Sequence, residues 1–138
     1  MKINYQAAEA AHLNWLAEND KHLSKEILRK KIAAQEILIA LDQEEIIAWL
    51  RFNYFWDSIP FINLLFVSKD YRSKGIGSTI VSIWEKEMQS SFSAPIVMTS
   101  SQPDETGQHF FRKIGYQDAG ALDLPKEPTE IIFIKQFV

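Results

Sequence analysis

The sequence predicts an α/β domain, and two observations carry that expectation: the order of its periodic segments, and a glycine-bearing turn set between an apolar strand and an amphipathic helix. At 138 residues with 46% hydrophobic side chains, the chain is expected to form one domain with a proper core. Segments of period two and period 3.6 follow one another in the order βααβββαβαββ.

The elements can be justified in turn. Lys2 to Tyr5 alternates polar and apolar residues as a short strand, and Ala8, Ala11 and Trp15 follow at helical spacing. Ser24 is placed to cap a second helix that carries Leu28 and Ile32 on one face, with Arg29-Lys-Lys31 beside them as a solvated basic cluster. Glu36–Leu41 and Glu45–Tyr54 form a hairpin about the polar turn Asp42–Glu45. Ser58-Ile-Pro60 punctuates the chain before Phe61–Val67, the third strand of a meander. A helix from about Lys74 to Gln89 leads to a buried strand, Ile96–Ser100. Pro103 ends that run, and Glu105–Ile114 forms a short helix with Phe110, Phe111 and Ile114 toward the core and Gly115 as its stop. Strands Tyr116–Leu124 and Glu130–Phe137 close the chain around Pro125-Lys-Glu-Pro128; the last can pair across a homodimer or be covered within the monomer.

Composition excludes several functions. A net charge of −3, from 15 basic and 18 acidic residues, lacks the broad basic field that nucleic acid needs. The absence of cysteine removes disulfides, thiolate zinc sites and a cysteine-bound acyl intermediate. His12, His22 and His109 are scattered without metal-ligand spacing, His12 and His22 reading as helix-surface residues, so no metal is expected. No apolar run approaches the roughly 20 residues of a membrane span, and Met-Lys-Ile-Asn-Tyr lacks a signal-peptide core, so a soluble cytoplasmic protein with no membrane partner is expected.

Chemistry concentrates in Val67-Ser-Lys-Asp-Tyr-Arg72-Ser-Lys-Gly75-Ile-Gly77-Ser78. Gly75 and Gly77 let an anion approach the main chain and make positive φ cheap. Amide N–H groups at the helix start point at that anion, and the macrodipole adds partial positive charge. Arg72 and Lys74 supply two full charges, Arg72 with a fork suited to phosphate oxygens. The short pattern alone arises by chance in roughly one chain in ten of this size. The strand Pro60–Val67 before it, and Ile76, Ile80, Trp84 and Met88 spaced by four after it, give it specificity. The plainer alternative is an ordinary strand-to-helix turn with a solvated basic edge. An ATP-type phosphate loop does not fit, because Lys74 precedes its glycine and no Gly-Lys-[Ser/Thr] occurs.

This element order, with the segment above at its centre and Phe110-Phe-Arg-Lys-Ile-Gly115-Tyr116 near its end, resembles the GNAT superfamily of N-acetyltransferases over nearly the whole chain. The resemblance implies a mixed central sheet with an antiparallel meander and a splayed strand pair, flanked by about four helices. It implies acetyl-CoA as acyl donor, with main-chain groups of Leu65, Phe66 and Val67 on pantetheine and Arg72, Ser73, Lys74, Gly75, Ile76, Gly77 and Ser78 around the pyrophosphate. The splay between the strands starting at Phe61 and Ile96 would admit the thioester, and the N–H near Phe66 would polarise its carbonyl. Asp104 stands where an asparagine beside the cofactor is frequent. The family's common acid, a tyrosine before Arg112, is here Phe111, and a position that is glutamate in some members is Thr99.

The proton-transfer residues are therefore unusual. Asp57, beyond Tyr54-Phe-Trp56 at the expected acceptor end of the meander, is a candidate base acting directly or through water, or else a turn aspartate making a local bond. Strand alternation sends Trp49 and Phe55 to one face and Phe52, Tyr54 and Trp56 to the other, and Trp15 lies on the helix that borders the acceptor groove in this family. Rings facing the groove would suit an apolar or aromatic amine. The expected activity is direct acetyl transfer to a primary amine of a small molecule or peptide in a ternary complex; the alternative is a non-catalytic acyl-CoA-binding sensor or partner module.

Overall fold

A computed structural model describes residues 2–103 and 106–137. The strands are β1 (Ile3–Ala7), β2 (Ile37–Asp42), β3 (Glu45–Phe55), β4 (Ile59–Val67), β5 (Ile96–Ser101), β6 (Gln117–Leu122) and β7 (Glu130–Gln136). The helices are α1 (Leu13–Asn19), α2 (Lys25–Ala33), α3 (Ile76–Phe92) and α4 (Thr106–Lys113), with short 3-10 turns at Ala10–His12 and Lys69–Tyr71. The strand order β1-β2-β3-β4-β5-β7-β6 is a mixed sheet whose one parallel pair is β4–β5. Elements thus follow the predicted order throughout.

The chain divides into two compact units, Met1–Phe52 with Leu64–Ser82, and Asn53–Asn63 with Ile83–Val138. In the first, β2 alternates across the sheet. Ile37, Ile39 and Leu41 join Leu16, Leu28 and Trp49 in one core cluster, while Ala40 joins Ile47, Ala48 and Ile76 in another. Side chains 46–52 of β3 are all buried, because both faces of that strand are covered. Ser24 caps α2 as predicted, its Oγ accepting from the Ile27 N–H at 3.2 Å. The basic cluster on α2 is not uniformly solvated: Lys31 Nζ turns in to donate to Glu36 Oε1 and to the Phe52 carbonyl, each at 2.9 Å.

In the second unit the β4–β5 register comprises Phe61↔Met98 and Ile62↔Thr99. β4 itself runs on five residues beyond Ile62 to Val67, so the parallel ladder is brief, as a splayed pair requires. Phe133 and Phe111 stack with centroids 6.4 Å apart, and Tyr116 meets Phe111 edge-on at 5.2 Å. The Tyr116 hydroxyl donates to Glu85 Oε2 at 2.7 Å, and Lys135 Nζ donates to Glu85 Oε1 at 3.0 Å, so the buried carboxylate is satisfied twice. The last strand takes the second of its two expected arrangements, covered within the monomer. β7 pairs with β5 on one side and β6 on the other, so it has no free edge to offer a second copy.

The β3–β4 turn also departs from the reading that placed it at Ser58–Pro60. Trp56 and Asp57 adopt φ of 55° and 63°, and the Ser58 N–H donates to the Phe55 carbonyl at 3.2 Å. Two successive left-handed residues closed by that bond make the hairpin turn that Asn-Gly ordinarily favours. Alternation stops at Phe55, so Trp56 belongs to neither strand face; its ring is 78% exposed and lies 4.9 Å from that of Phe55. Trp56→Asn should relieve the left-handed strain while giving up little buried surface. We expect stabilisation of about 1 kcal/mol, a rise in Tm of about 3 °C, read by differential scanning calorimetry.

Candidate active site

The turn after β4 sets a left-handed glycine and two exposed cations at the start of a helix. Ser73 and Gly75 have φ of 62° and 81°, which lifts the chain out of the extended path and sets it at the start of α3. The Thr79 N–H donates to the Gly75 carbonyl at 3.0 Å, making Gly75 the residue that caps the helix. A glycine there has no side-chain oxygen, and among the described residues no side chain caps the amides of Ile76, Gly77 and Ser78. A Cβ on Gly75 would meet nothing within 4 Å; glycine is required by the backbone conformation rather than by space. Gly77 lies inside α3, so positive φ is not its contribution.

Arg72 is oriented by the strand it follows. Its Nε donates to the Val67 carbonyl at 2.9 Å, and its guanidinium carbon lies 5.5 Å from the centroid of the Phe66 ring. Both terminal nitrogens are without partners among the described residues, and the side chain is exposed, as are Ser73, Lys74 and Ser78. Ser78 Oγ donates to the Gly75 carbonyl at 3.1 Å, tightening the first turn. Three cations, Lys69, Arg72 and Lys74, stand here against Asp70, so the field favours an anion.

The sequence did not reveal what fixes this turn. Tyr71, in the 3-10 turn before Arg72, donates its hydroxyl to Asp42 Oδ2 at 2.6 Å. That hydrogen bond to the carboxylate, aided by desolvation and by the neighbouring charges of Asp42, Glu45 and Asp70, pushes the Tyr71 phenol up to about 12. Beneath β4 lies a second device missed by sequence reasoning. Asp20, fully buried, accepts from Arg51 Nε at 2.6 Å and from the Trp49 indole N–H at 3.2 Å. Trp49 in turn packs on Phe66, with centroids 4.8 Å apart, and meets Trp15 edge-on at 5.4 Å. The partners of Asp20 are about 30 residues distant in sequence, so no local motif marks them.

The remaining candidates divide. Leu65, Phe66 and Val67 close β4 immediately before the turn, Leu65 and Val67 half-buried and Phe66 38% exposed. Asp57 sits in the turn before β4 opens, with no hydrogen-bond partner among the described residues, so it makes no local capping bond. Asp104 lies outside the described residues. Thr99 is buried and donates its hydroxyl to the Ile62 carbonyl at 3.0 Å, and Phe111 is buried in the aromatic cluster. His12 serves locally, its Nδ1 accepting from the Glu9 N–H at 2.9 Å, and His22 lies in the turn after α1 rather than on a helix. Among the described residues no group of three or more His, Cys, Asp or Glu could hold a metal, and no helix is long and apolar enough to cross a membrane.

The family model of the GNAT acetyltransferase domain matches residues 33–118, the stretch from the end of α2 to the start of β6 that contains the loop and α4. The chain belongs to the GNAT acetyltransferase family. Solved structures agree on the GNAT fold. A GNAT-family acetyltransferase from Bacillus cereus superposes with a TM-score of 0.81 at 21% identity, covering 100% of this chain and 99% of that one. An acetyltransferase from Bacillus anthracis in complex with acetyl coenzyme A gives 0.82 at 17% identity, covering all of both chains. Naa50 from Arabidopsis thaliana, in complex with the bisubstrate analogue CoA-Ac-MVNAL, gives 0.78 at 17% identity over 99% of this chain and 100% of its own. No curated protein matches the chain in sequence.

Two outcomes test the local geometry of this GNAT chain. Gly75→Ala should cost about 1 kcal/mol in urea unfolding, through backbone strain with no steric clash. Tyr71 keeps its proton in the folded state to higher pH than in the unfolded state, where it titrates near its ordinary value of 10.0. Its contribution is therefore complete below pH 10 and is lost between pH 10 and about 12, as the unfolded chain ionises first. The urea midpoint should fall more steeply across that window in the parent than in Tyr71→Phe; parallel curves would refute the assignment.

Proposed function

We propose that the chain acts as one GNAT-type N-acetyltransferase domain that takes acetyl-CoA as donor and transfers its acetyl group directly to a primary amine of a peptide or small molecule in a ternary complex. The observation that carries this reading is the Arg72–Ser78 turn: a helix N-terminus without a side-chain cap, opened by left-handed Gly75 and flanked by two cations whose polar heads face solvent. A pyrophosphate suits it, with Arg72 forking onto phosphate oxygens and Lys74 adding a point charge. Main-chain groups of Leu65, Phe66 and Val67 suit pantetheine. One acceptor site on the Val67 carbonyl is already taken by Arg72, so the strand and the phosphate grip are mechanically joined.

An amide N–H near Phe66 would hold the oxyanion as the amine attacks. The new N–C bond forms, the C–S bond breaks, CoA leaves as a thiolate, and the amine proton passes to water or to a backbone carbonyl. The chain has no cysteine to carry the acetyl group in an intermediate. Phe111 has no proton to give, and Thr99 already donates its own to Ile62. A thiol of pKa near 8.5 leaves adequately without an acid, whereas an alkylamine of pKa near 10.4 is neutral in only about one molecule in 2,500 at pH 7. A peptide α-amine, with pKa near 7.8, is neutral in about one in seven. Without a strong base the reaction favours the peptide α-amine, and relatives of the same fold were solved with a CoA-peptide bisubstrate analogue and with a Gag peptide and CoA.

Thermal unfolding with acetyl-CoA, free CoA and ATP tests the donor. A hundredfold excess over Kd should add about 2.7 kcal/mol with either CoA species, less in Arg72→Ala/Lys74→Ala, and nothing with ATP. Amine-dependent thiol release tests catalysis. A peptide α-amine should be acetylated at least about tenfold faster than an alkyl ε-amine at pH 7, and the gap should narrow toward pH 10 as both become neutral. Donor binding without thiol release for any amine would replace this reading with an acyl-CoA sensor.

A further inference from the structure

The side chain of Phe66 stands at the border between the core and solvent. It is a large apolar residue at the end of β4, 38% exposed, with one face on the Trp49 ring at 4.8 Å and the Arg72 guanidinium 5.5 Å from its centroid. Trp49 is itself immobilised: it is 3% exposed, its N–H is held by Asp20 Oδ2, and that carboxylate is clamped by Arg51. A continuous set of contacts therefore runs from a buried ion pair, through two rings, to the cation at the anion-facing turn.

Arg72 is held at two points on this base. Its Nε donates to the Val67 carbonyl and its guanidinium carbon lies over the Phe66 ring, while both terminal nitrogens stay without partners among the described residues. An arginine on the surface ordinarily samples many rotamers and loses that freedom when it grips a phosphate. One already anchored through Nε and seated on a ring loses less, and its fork is presented in one orientation.

We propose that Phe66 is a positioning residue whose side chain, backed by Trp49, pre-orients Arg72 for the donor's pyrophosphate. This rests on the acetyl-CoA reading of the turn. It gives Phe66 a role separate from its main-chain N–H, one that a leucine of similar apolar character cannot fill.

The test is a double-mutant cycle on acetyl-CoA affinity, measured by isothermal titration calorimetry with Phe66→Leu, Phe66→Tyr, Arg72→Ala and Phe66→Leu/Arg72→Ala. If parent protein fails to bind acetyl-CoA, the donor reading fails, an outcome separate from those that follow. Given binding, Phe66→Leu should weaken acetyl-CoA about fivefold and Phe66→Tyr should retain parental affinity. In the Arg72→Ala background Phe66→Leu should cost nothing further. Kinetically, Phe66→Leu should raise KM for acetyl-CoA by a larger factor than it lowers kcat. Equal losses from Phe66→Leu with and without Arg72, or a fall in kcat at constant KM, would overturn the proposal, as either would mark a structural effect of the ring on the strand. Unfolding midpoints of the four variants identify any that fail to fold; for these Phe66→Met replaces Phe66→Leu.

Discussion

The left-handed turn at Gly75 is the constraint on which the rest of the site depends. Its φ of 81° ends the irregular segment and fixes where α3 begins, so three amides at the head of a 17-residue helix receive no side-chain cap. A serine or aspartate at that position would offer one of those amides its own oxygen, a capping gain of the ordinary kind, but only against the strain a side chain meets at that φ. The chain forgoes that gain, and the positive end of the helix stays available. The same turn brings Arg72 back over the end of β4, where Val67 and Phe66 receive it. Glycine, helix start and cation are parts of one geometry.

That geometry is braced from below by a costly element. Burying Asp20 and Arg51 removes two charges from water, a penalty that their attraction offsets only when the remaining hydrogen-bonding capacity is used. Here it is used: Asp20 accepts from Arg51 Nε and from the Trp49 indole, with a longer 3.4 Å contact from Arg51 Nη2. An apolar replacement of the pair could match its contribution to stability, but it would leave Trp49 without its fixed N–H partner. The pair thus acts on orientation more than on stability. Tyr71 and Asp42 brace the turn from its other end, by a bond between the 3-10 turn and the last residue of β2.

What the sequence made legible was local. Ser24 as a cap, the four-residue spacing of Ile76, Ile80, Trp84 and Met88, and the strand-turn-helix around Gly75 each lie within one or two turns of chain, where propensity and period speak directly. The Trp56–Asp57 turn was illegible because neither residue is the Asn or Gly that signals left-handed backbone, and nearby Pro60 gave a stronger but misplaced cue; the strand accommodates that proline close to its start. Lys31 looked solvated because the Phe52 carbonyl it meets is 21 residues away. Asp42 read as part of a polar turn and Asp20 drew no reading for the same reason: their partners come from other elements, and no periodicity encodes a side-chain hydrogen bond across about 30 residues.

Phe111 and Thr99, at the positions where the family resemblance led one to expect proton-transfer residues, serve the core here. Phe111 is packed among Phe133, Phe110 and Tyr116, and Thr99 ties β5 to β4 through the Ile62 carbonyl. Restoring a tyrosine hydroxyl at 111 would bury a donor within aromatic rings, at a cost on the order of 1–3 kcal/mol unless it found a partner. On the proposed acetyl-CoA reading, function rests on main-chain amides at the helix start and near the end of β4, with side chains supplying charge and orientation. Main-chain groups are the same in every residue, so the fold can retain them while side chains diverge, which accounts for a shared architecture with proteins only 17–21% identical. It also explains why loss of the acid need not end catalysis. In the proposed reaction the electrophile is activated by backbone, the leaving thiolate is stable near neutral pH, and the demand for a base falls on the choice of amine.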